Sequence, residues 1–171
     1  VLLVGYGIVG RSCRMALEGR FCQLSAYDTN EDIRQLAGEE GLQVYDAPCE
    51  EMFFHDTVVV GCVGRPSFGM EMFRCFLQGK AERIYLASGS SKNVEFKEIL
   101  EYLAGNRPAI EGLSLICVEQ KPLYTKYSFE YKGTTKELFL LAEGKPVNFY
   151  REGVISLTYR VIDLVFAEML H

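Results

Sequence analysis

Clusters of metal-binding residues are missing from this sequence. Its only histidines are His55 and His171, and none of its six cysteines forms a Cys-x-x-Cys pair. We therefore expect no metal site, because structural metal sites draw their ligands from such clusters. We interpret the cysteines as small apolar core residues of a protein in the reducing cytoplasm.

Long apolar runs and runs of basic residues are also missing. No stretch approaches the ~20 apolar residues that a membrane-spanning helix needs, and no secretory signal is visible. The formal net charge is −5, and Lys and Arg are scattered along the chain. This pattern argues against a nucleic acid or a membrane surface as a partner. The 171 residues suit a single domain with its own core.

Short apolar runs alternate with amphipathic segments over the first part of the chain. The runs that predict strands are Val1–Val4, Cys22–Tyr27, Gln43–Tyr45, Thr57–Val60 and Arg83–Ala87. The segments that predict helices are Val9–Leu17, Thr29–Gly38, Glu50–Phe54, Phe68–Leu77 and Val94–Leu103. This alternation predicts an α/β fold with a Rossmann-type, doubly wound parallel sheet.

The pattern changes to strands without intervening helices in the last third. The predicted strands are Leu115–Val118, Tyr127–Tyr131, Glu137–Leu141 and Val147–Phe149, with a hairpin turn at Lys132-Gly133-Thr134. We expect them to close one side of the sheet, followed by a terminal helix at Leu157–Leu170. Because the chain begins inside its first predicted strand, we expect it to belong to a longer polypeptide.

The most informative motif is Gly5-Tyr6-Gly7-Ile8-Val9-Gly10, which has the spacing G-x-G-x-x-G. It follows an apolar strand and opens an amphipathic helix, the context in which this spacing binds a dinucleotide. Gly5 permits the tight turn, Gly7 lets a pyrophosphate approach the backbone, and Gly10 lets helix and strand pack closely. The N–H groups and the dipole at the helix start would then face the phosphates. We predict that all residues of the motif bind the cofactor; a Gly-rich turn without a ligand is the alternative.

An acidic residue stands where the fold needs one for ribose. Asp28 lies 18 residues after Gly10, at the end of the second predicted strand, with Thr29 beside it. A carboxylate there accepts hydrogen bonds from the ribose hydroxyls and repels a 2′-phosphate. No Arg follows within five residues, so we predict NAD rather than NADP, with Asp28 and Thr29 in the site. A plain surface turn is the alternative.

Two small-residue loops follow the fourth and fifth predicted strands. Ligands in this fold lie beyond the carboxyl ends of the strands, so both loops are expected to line the cofactor. Their predicted cofactor-binding residues are Gly61, Cys62, Val63, Ser88, Gly89 and Ser90. Plain turns are the alternative for each. We assign no catalytic residue, because His55 precedes the fourth strand and therefore lies at the opposite edge of the sheet.

These segments together resemble the NAD-binding domain of S-adenosylhomocysteine hydrolase. The glycine motif through Arg11 is similar to that family's loop, and Asp28 falls at its ribose-binding acid. The segment Gly89–Glu95 resembles the family's loop after strand five. The most specific similarity is Leu141–Asn148, Leu-Ala-Glu-Gly-Lys-Pro-Val-Asn, against the family's Leu-Ala-Glu-Gly-Arg-x-Val-Asn. The resemblance covers nearly the whole chain and implies NAD as cofactor, with Asn148 near the nicotinamide amide.

The chain departs from this family where the hydrolase chemistry takes place. Ser90 stands at the position of a family His, and Phe149–Glu152 replaces the segment with a His at the reaction centre. Cys62 and Val63 occupy the positions of two threonines that contact the cofactor in that family. The resemblance also implies a substrate domain before Val1 and assembly into a homo-oligomer. We therefore expect that this chain alone does not hydrolyse S-adenosylhomocysteine.

Two interpretations of the function stay open at this point. In the first, the chain is the cofactor domain of a divergent, adenosylhomocysteinase-like NAD-dependent enzyme. In the second, it is a non-catalytic module that senses NAD. A third interpretation, a Rossmann domain without any ligand, lacks support from the glycine spacing.

Overall fold

The computed structural model describes residues 1–20, 23–90, 94–105 and 109–146. Its strands are β1 Leu2–Val4, β2 Ser25–Tyr27, β3 Gln43–Tyr45, β4 Thr57–Gly61, β5 Arg83–Ser88, β6 Leu113–Gln120, β7 Tyr124–Tyr131 and β8 Thr134–Leu141. Its α-helices are α1 Ile8–Leu17, α2 Glu31–Glu39, α3 Met70–Gln78 and α4 Lys97–Leu103, and short 3₁₀ helices span Glu50–Phe53 and Ala142–Gly144. No helix within these ranges is long and apolar enough to cross a membrane.

The strands form one sheet in the order β3-β2-β1-β4-β5-β8-β7-β6. β1 lies between β2 and β4 and is parallel to both, with Leu3 opposite Ala26 on one side and Val60 on the other. The chain therefore reverses its direction of winding between β1 and β4. In open α/β sheets the ligand crevice lies at this reversal, beyond the carboxyl ends of the strands. The predicted Rossmann-type architecture is confirmed.

Helices cover both faces of the parallel part of the sheet. On one face, α1 and α2 pack over Leu3 and Ala26, and Leu17 of α1 is buried there. On the other face, α3, α4 and the first 3₁₀ helix pack over neighbours such as Leu2 and Val4. Successive strand residues point to opposite faces, so strands that are apolar throughout need cover on both.

The last three strands form an antiparallel meander that joins the sheet through its final member. β8 pairs with β5 in parallel, and β7 is the one described strand that runs in the opposite direction. Lys132 and Gly133 connect β7 to β8 with φ of 50° and 82°, as a two-residue hairpin turn requires. The predicted additional strands and hairpin are confirmed. The predicted strand Val147–Phe149 and the terminal helix lie outside the described residues.

The start of the second helix differs from the prediction. The helix was predicted to begin at Thr29, whereas α2 begins at Glu31 with Asn30 as its N-cap. The side-chain oxygen of Asn30 accepts a hydrogen bond from the backbone N–H of Asp32 at 2.9 Å. The side chain of Asn or Asp readily accepts a hydrogen bond from the backbone N–H two residues further along, whereas the hydroxyl of Ser or Thr makes this bond more weakly. Thr29 is thereby left outside the helix, with its hydroxyl exposed toward the crevice.

A buried lysine attaches the meander to the parallel half of the fold. Lys136 of β8 is 3% exposed, and its Nζ donates to the carbonyl oxygens of Gly79 and Ala81 at 2.7 and 2.6 Å. Gly79 ends α3, where the last carbonyls have no partner inside the helix. The ammonium group therefore satisfies acceptors that the core would otherwise leave unpaired.

We expect Lys136→Met to lower the free energy of unfolding by about 1–3 kcal/mol, the usual cost of leaving buried acceptors unpaired. Urea unfolding followed by circular dichroism measures the change. Lys97→Met, at an exposed position, is the matched control and should change stability by less than about 0.5 kcal/mol. Equal stability of the two variants would contradict this role of Lys136.

Candidate functional site

The glycine motif forms a tight turn between β1 and α1. Gly5 has φ +91° and its N–H donates to the carbonyl oxygen of Tyr27 at 2.8 Å, which attaches the turn to β2. A Cβ on Gly5 would lie 2.7 Å from Cγ2 of Val63, and a Cβ on Gly10 would overlap the carbonyl oxygen of Gly5. Both positions therefore need glycine for the helix to start directly above the end of β1.

Gly7 differs from the other two glycines of the motif. A Cβ on Gly7 would meet no atom within 4 Å, so its missing side chain leaves open space. Gly7 is the N-cap of α1, and no side chain caps the helix there. The first N–H groups of a helix have no partner inside it, and they carry the positive end of its dipole. This stretch of backbone is therefore accessible and suited to an anion.

Asp28 joins the glycine turn to the end of β2. Its Oδ2 accepts from the N–H of Tyr6 at 2.8 Å, and its Oδ1 accepts from the N–H of Asn30 at 2.9 Å. Each carboxylate oxygen has two lone pairs, so both retain capacity for another donor. The sequence placed Asp28 and the glycine turn in one site, and the structure brings them into direct contact.

The side chain of Tyr6 points away from the crevice. It is fully buried, and its hydroxyl donates to Oε2 of Glu40 at 2.6 Å. Burial raises the pKa of Tyr6, and the hydrogen bond to Glu40 raises it further. Arg11 pairs with the same carboxylate at 3.1 Å. Tyr6 thus offers the crevice only its backbone, and Arg11 is engaged with α2.

Two apolar side chains stand uncovered at the start of α1. Ile8 is 88% exposed and Val9 is 40% exposed. Both belong to the predicted cofactor-binding motif. Their position at the helix start places them at the rim of the turn, next to Gly7.

A cavity of about 420 Å³ opens between the ends of β1 and β2 and the start of α3. Its walls include four residues that the sequence predicted for the site, Gly5, Asp28, Thr29 and Val63. This volume lies within the range of small-molecule sites, about 300–1,000 Å³. The cavity is at the winding reversal, where the topology requires a ligand crevice.

Arg65 enters the cavity from the loop after β4, and the sequence analysis missed it. Its Nη2 donates to Oγ1 of Thr29 at 3.2 Å, next to Asp28. The preference for NAD over NADP was predicted because no Arg lies within the five residues after Asp28. A guanidinium binds a phosphate well, so this contact bears directly on that choice. No local signal could have found it, because Arg65 and Thr29 are 36 positions apart.

Glu95 fixes the loop after β4 from below, and the sequence analysis gave it no role of its own. Its Oε1 accepts from the N–H groups of Val63 and Gly64 at 2.9 and 2.6 Å, and its carbonyl oxygen accepts from Ser67 at 2.9 Å. The side chain is fully buried, and Oε2 has no hydrogen-bond partner among the described residues. The buried carboxylate of Glu95 thus accepts hydrogen bonds from backbone N–H groups that have no partner in a helix or strand.

The loops after β4 and β5 lie side by side at the carboxyl ends of their strands. Gly61 and Ser88 are the last residues of their strands and pair with one another. The N–H of Gly89 donates to the carbonyl oxygen of Gly61 at 2.8 Å, and the hydroxyl oxygens of Ser88 and Ser90 are 3.5 Å apart. Cys62 is buried beside Gly89. Asn148 lies outside the described residues.

Over the described ranges, no group of three or more His, Cys, Asp or Glu side chains is placed to hold a metal ion. The ionisable side chains that line the cavity are the carboxylates of Asp28, Glu71 and Glu98 and the guanidinium groups of Arg65 and Arg74.

The chain has little detectable sequence similarity to known proteins. No protein-family profile matches the chain, and no curated protein matches it by sequence. A crystal structure of an NAD-binding protein from Listeria innocua is 12% identical, over 86% of this chain and 67% of that one, with a TM-score of 0.35. A likeness at this level decides nothing about the ligand, and the fold assignment rests on the strand order and helix placement described above.

Substitution of Gly10 and of Gly7 should lower stability to different extents. Gly10→Ala should lower the free energy of unfolding by at least about 2 kcal/mol, because overlap with a backbone carbonyl outweighs the ~1 kcal/mol that Ala contributes in a helix. Gly7→Ala, the matched control, should cost less than about 1 kcal/mol, since its Cβ enters open space. Urea unfolding measures both. Similar losses in the two variants would show that the turn is built differently.

Glu95 should stabilise the fold through the hydrogen bonds that it accepts from the N–H groups of Val63 and Gly64. We expect Glu95→Ala to lower the free energy of unfolding by about 1–3 kcal/mol, because two part-buried N–H donors lose their acceptor. Glu95→Gln keeps one acceptor oxygen and should retain most of that stability. Thermal and urea unfolding compare the two variants. A Gln variant as unstable as the Ala variant would show that the negative charge, and not the acceptor, is what the loop needs.

Proposed function

We propose that this chain binds NAD in the crevice at the carboxyl ends of β1, β2, β4 and β5. The observation that carries the proposal is the open backbone at Gly7, held between two glycines that cannot carry a side chain. An accessible N-cap without a side-chain cap, directly above the end of a central parallel strand, suits a diphosphate.

The pyrophosphate would lie over Gly7 and the first turn of α1. The N–H groups there lack helical partners, and the helix dipole favours negative charge at that end. Arg11 is paired with Glu40, so we assign the phosphates to the backbone and not to this side chain. Ile8 and Val9 would be covered by the ligand along the rim of the turn.

The adenosine ribose would lie against Asp28. Each carboxylate oxygen already accepts one backbone N–H and can accept one ribose hydroxyl as well. Thr29 and Arg65 flank this position from the loops after β2 and β4. The carboxylate favours NAD, whereas the nearby guanidinium would also suit a 2′-phosphate; we assign NAD because Asp28 is held in place by the glycine turn itself.

The nicotinamide half would extend over the loops after β4 and β5. These loops contribute the small residues Gly61, Cys62, Val63, Ser88, Gly89 and Ser90. The bond between Gly89 and Gly61 and the support from Glu95 fix the positions of both loops. We assign Asn148 to the nicotinamide amide from the family resemblance alone.

For the whole protein, we propose the cofactor domain of an adenosylhomocysteinase-like NAD-dependent protein. The resemblance in the glycine motif, at Asp28 and over Leu141–Asn148 supports this assignment. NAD would supply hydride transfer, while this chain's residues would bind and orient it. The second candidate is a non-catalytic NAD-sensing module. Ser90 favours the second candidate, because a hydroxyl there cannot act as the acid–base group that a His would provide.

Calorimetric titration of the purified chain with NAD and NADP tests the proposal. We expect the chain to bind NAD and to bind NADP more weakly. Asp28→Ala should lower the affinity for NAD by about five- to thirtyfold, because it removes one or two hydrogen bonds to the ribose. Gly7→Ala should weaken binding by tenfold or more while leaving the fold intact, because its Cβ would occupy the space assigned to the pyrophosphate.

Control variants separate the possible causes. Asp28→Asn keeps an acceptor for the N–H of Tyr6 and should weaken NAD binding less than Asp28→Ala does. Arg65→Gln should leave NAD affinity within a few-fold and reduce any affinity for NADP. Absence of NAD binding, or unchanged affinity in both Gly7→Ala and Asp28→Ala, would refute the proposed site. A preference for NADP that disappears in Arg65→Gln would correct the cofactor.

A further inference from the structure

Two cysteines from distant parts of the chain meet beneath the glycine turn. Cys13 lies on the inner side of α1, and Cys62 directly follows β4. Their sulfur atoms are 3.9 Å apart, and the Cys62 thiol donates a hydrogen bond to the sulfur of Cys13. The two residues are 49 positions apart, so this contact is a product of the fold.

The two thiols differ in their environment. Cys62 is buried at 8% exposure, whereas Cys13 is partly exposed. The hydrogen bond from Cys62 lowers the pKa of Cys13, and the same contact together with burial raises the pKa of Cys62. A reagent from solvent therefore reaches the more acidic sulfur, that of Cys13, before it reaches the buried sulfur of Cys62. Reactive cysteines have this combination of access and thiolate character.

We propose that Cys13 and Cys62 form a redox pair that a peroxide converts into a disulfide. The Cys13 thiolate attacks one oxygen of hydrogen peroxide and breaks the O–O bond, which gives a sulfenic acid and, after protonation, one water. The Cys62 sulfur then attacks the Cys13 sulfur and breaks its S–O bond. The Cys62 proton leaves with the hydroxide as a second water. Two thiols lose two electrons, and the peroxide takes them up.

The geometry allows this bond with a small movement. A disulfide has an S–S length of about 2.05 Å, so the sulfurs must approach by roughly 2 Å. The movement would bring α1 and the end of β4 together. Gly5 lies between these elements, since a Cβ on it would be 3.1 Å from the carbonyl carbon of Cys62. The disulfide would thus form directly under the glycine turn, independently of which ligand the turn binds.

Peptide mapping after oxidation tests the pair on the full chain. The protein is treated with hydrogen peroxide at neutral pH, remaining thiols are alkylated, and the chain is digested without reduction. Trypsin cuts after Arg11 and Arg14 and isolates Cys13; a protease specific for Glu cuts after Glu51 and separates Cys62 from Cys49. We expect one linked peptide pair, Cys13 with Cys62, lighter than the two thiol peptides by two hydrogens.

Single variants assign the order of the steps. In Cys62→Ser, Cys13 should accumulate as a sulfenic acid that dimedone labels, because its resolving partner is gone. In Cys13→Ser, Cys62 should stay unlabelled, and Cys117→Ser, an exposed control, should form the link as the parent does. Cys62→Ala serves as a second variant with the same expected label on Cys13. A linked pair that includes another cysteine, no link at all, or preferential labelling of Cys62 would each overturn the proposal.

Discussion

The site depends on the close approach of α1 to the turn that follows β1. The helix can begin there only because Gly10 presents no Cβ to the carbonyl oxygen of Gly5. This contact fixes the axis of α1 and brings its first N–H groups to the edge of the sheet. The open space at Gly7 results from the same geometry, since one side of the turn packs against the end of β1 and its other side faces the crevice.

Side chains hold the crevice loops where regular secondary structure ends. Asp28 accepts the N–H of Tyr6, and Glu95 accepts two N–H groups of the loop after β4. In both cases a carboxylate from one loop satisfies the backbone of another. Buried or half-buried N–H groups need such partners, so these acids determine loop positions as well as the charge of the site. Asp28 therefore serves the fold and the proposed ligand with the same carboxyl group.

The meander lies beside the crevice without entering it. β8 extends the parallel sheet next to β5, and Lys136 ties it to the end of α3. β5 carries the loop at Ser88–Ser90 and lies between β4 and β8 in the sheet. The contact between Cys13 and Cys62 joins α1 to the end of β4, next to the loop after β5.

The sequence alone determined the local features of this protein. The glycine spacing, the apolar strand before it and the position of Asp28 predicted the turn, the helix after it and a site shared with Asp28, because each depends on neighbours in the chain or on a fixed topology. The alternation of strands and helices predicted the Rossmann-type sheet for the same reason. Only the tertiary structure decided that β8 joins β5, that Arg65 reaches Thr29, that Glu95 supports the β4 loop and that two cysteines meet. These pairings join residues 31 to 49 positions apart or strands whose order no periodicity encodes, so they exist only once the sheet is assembled.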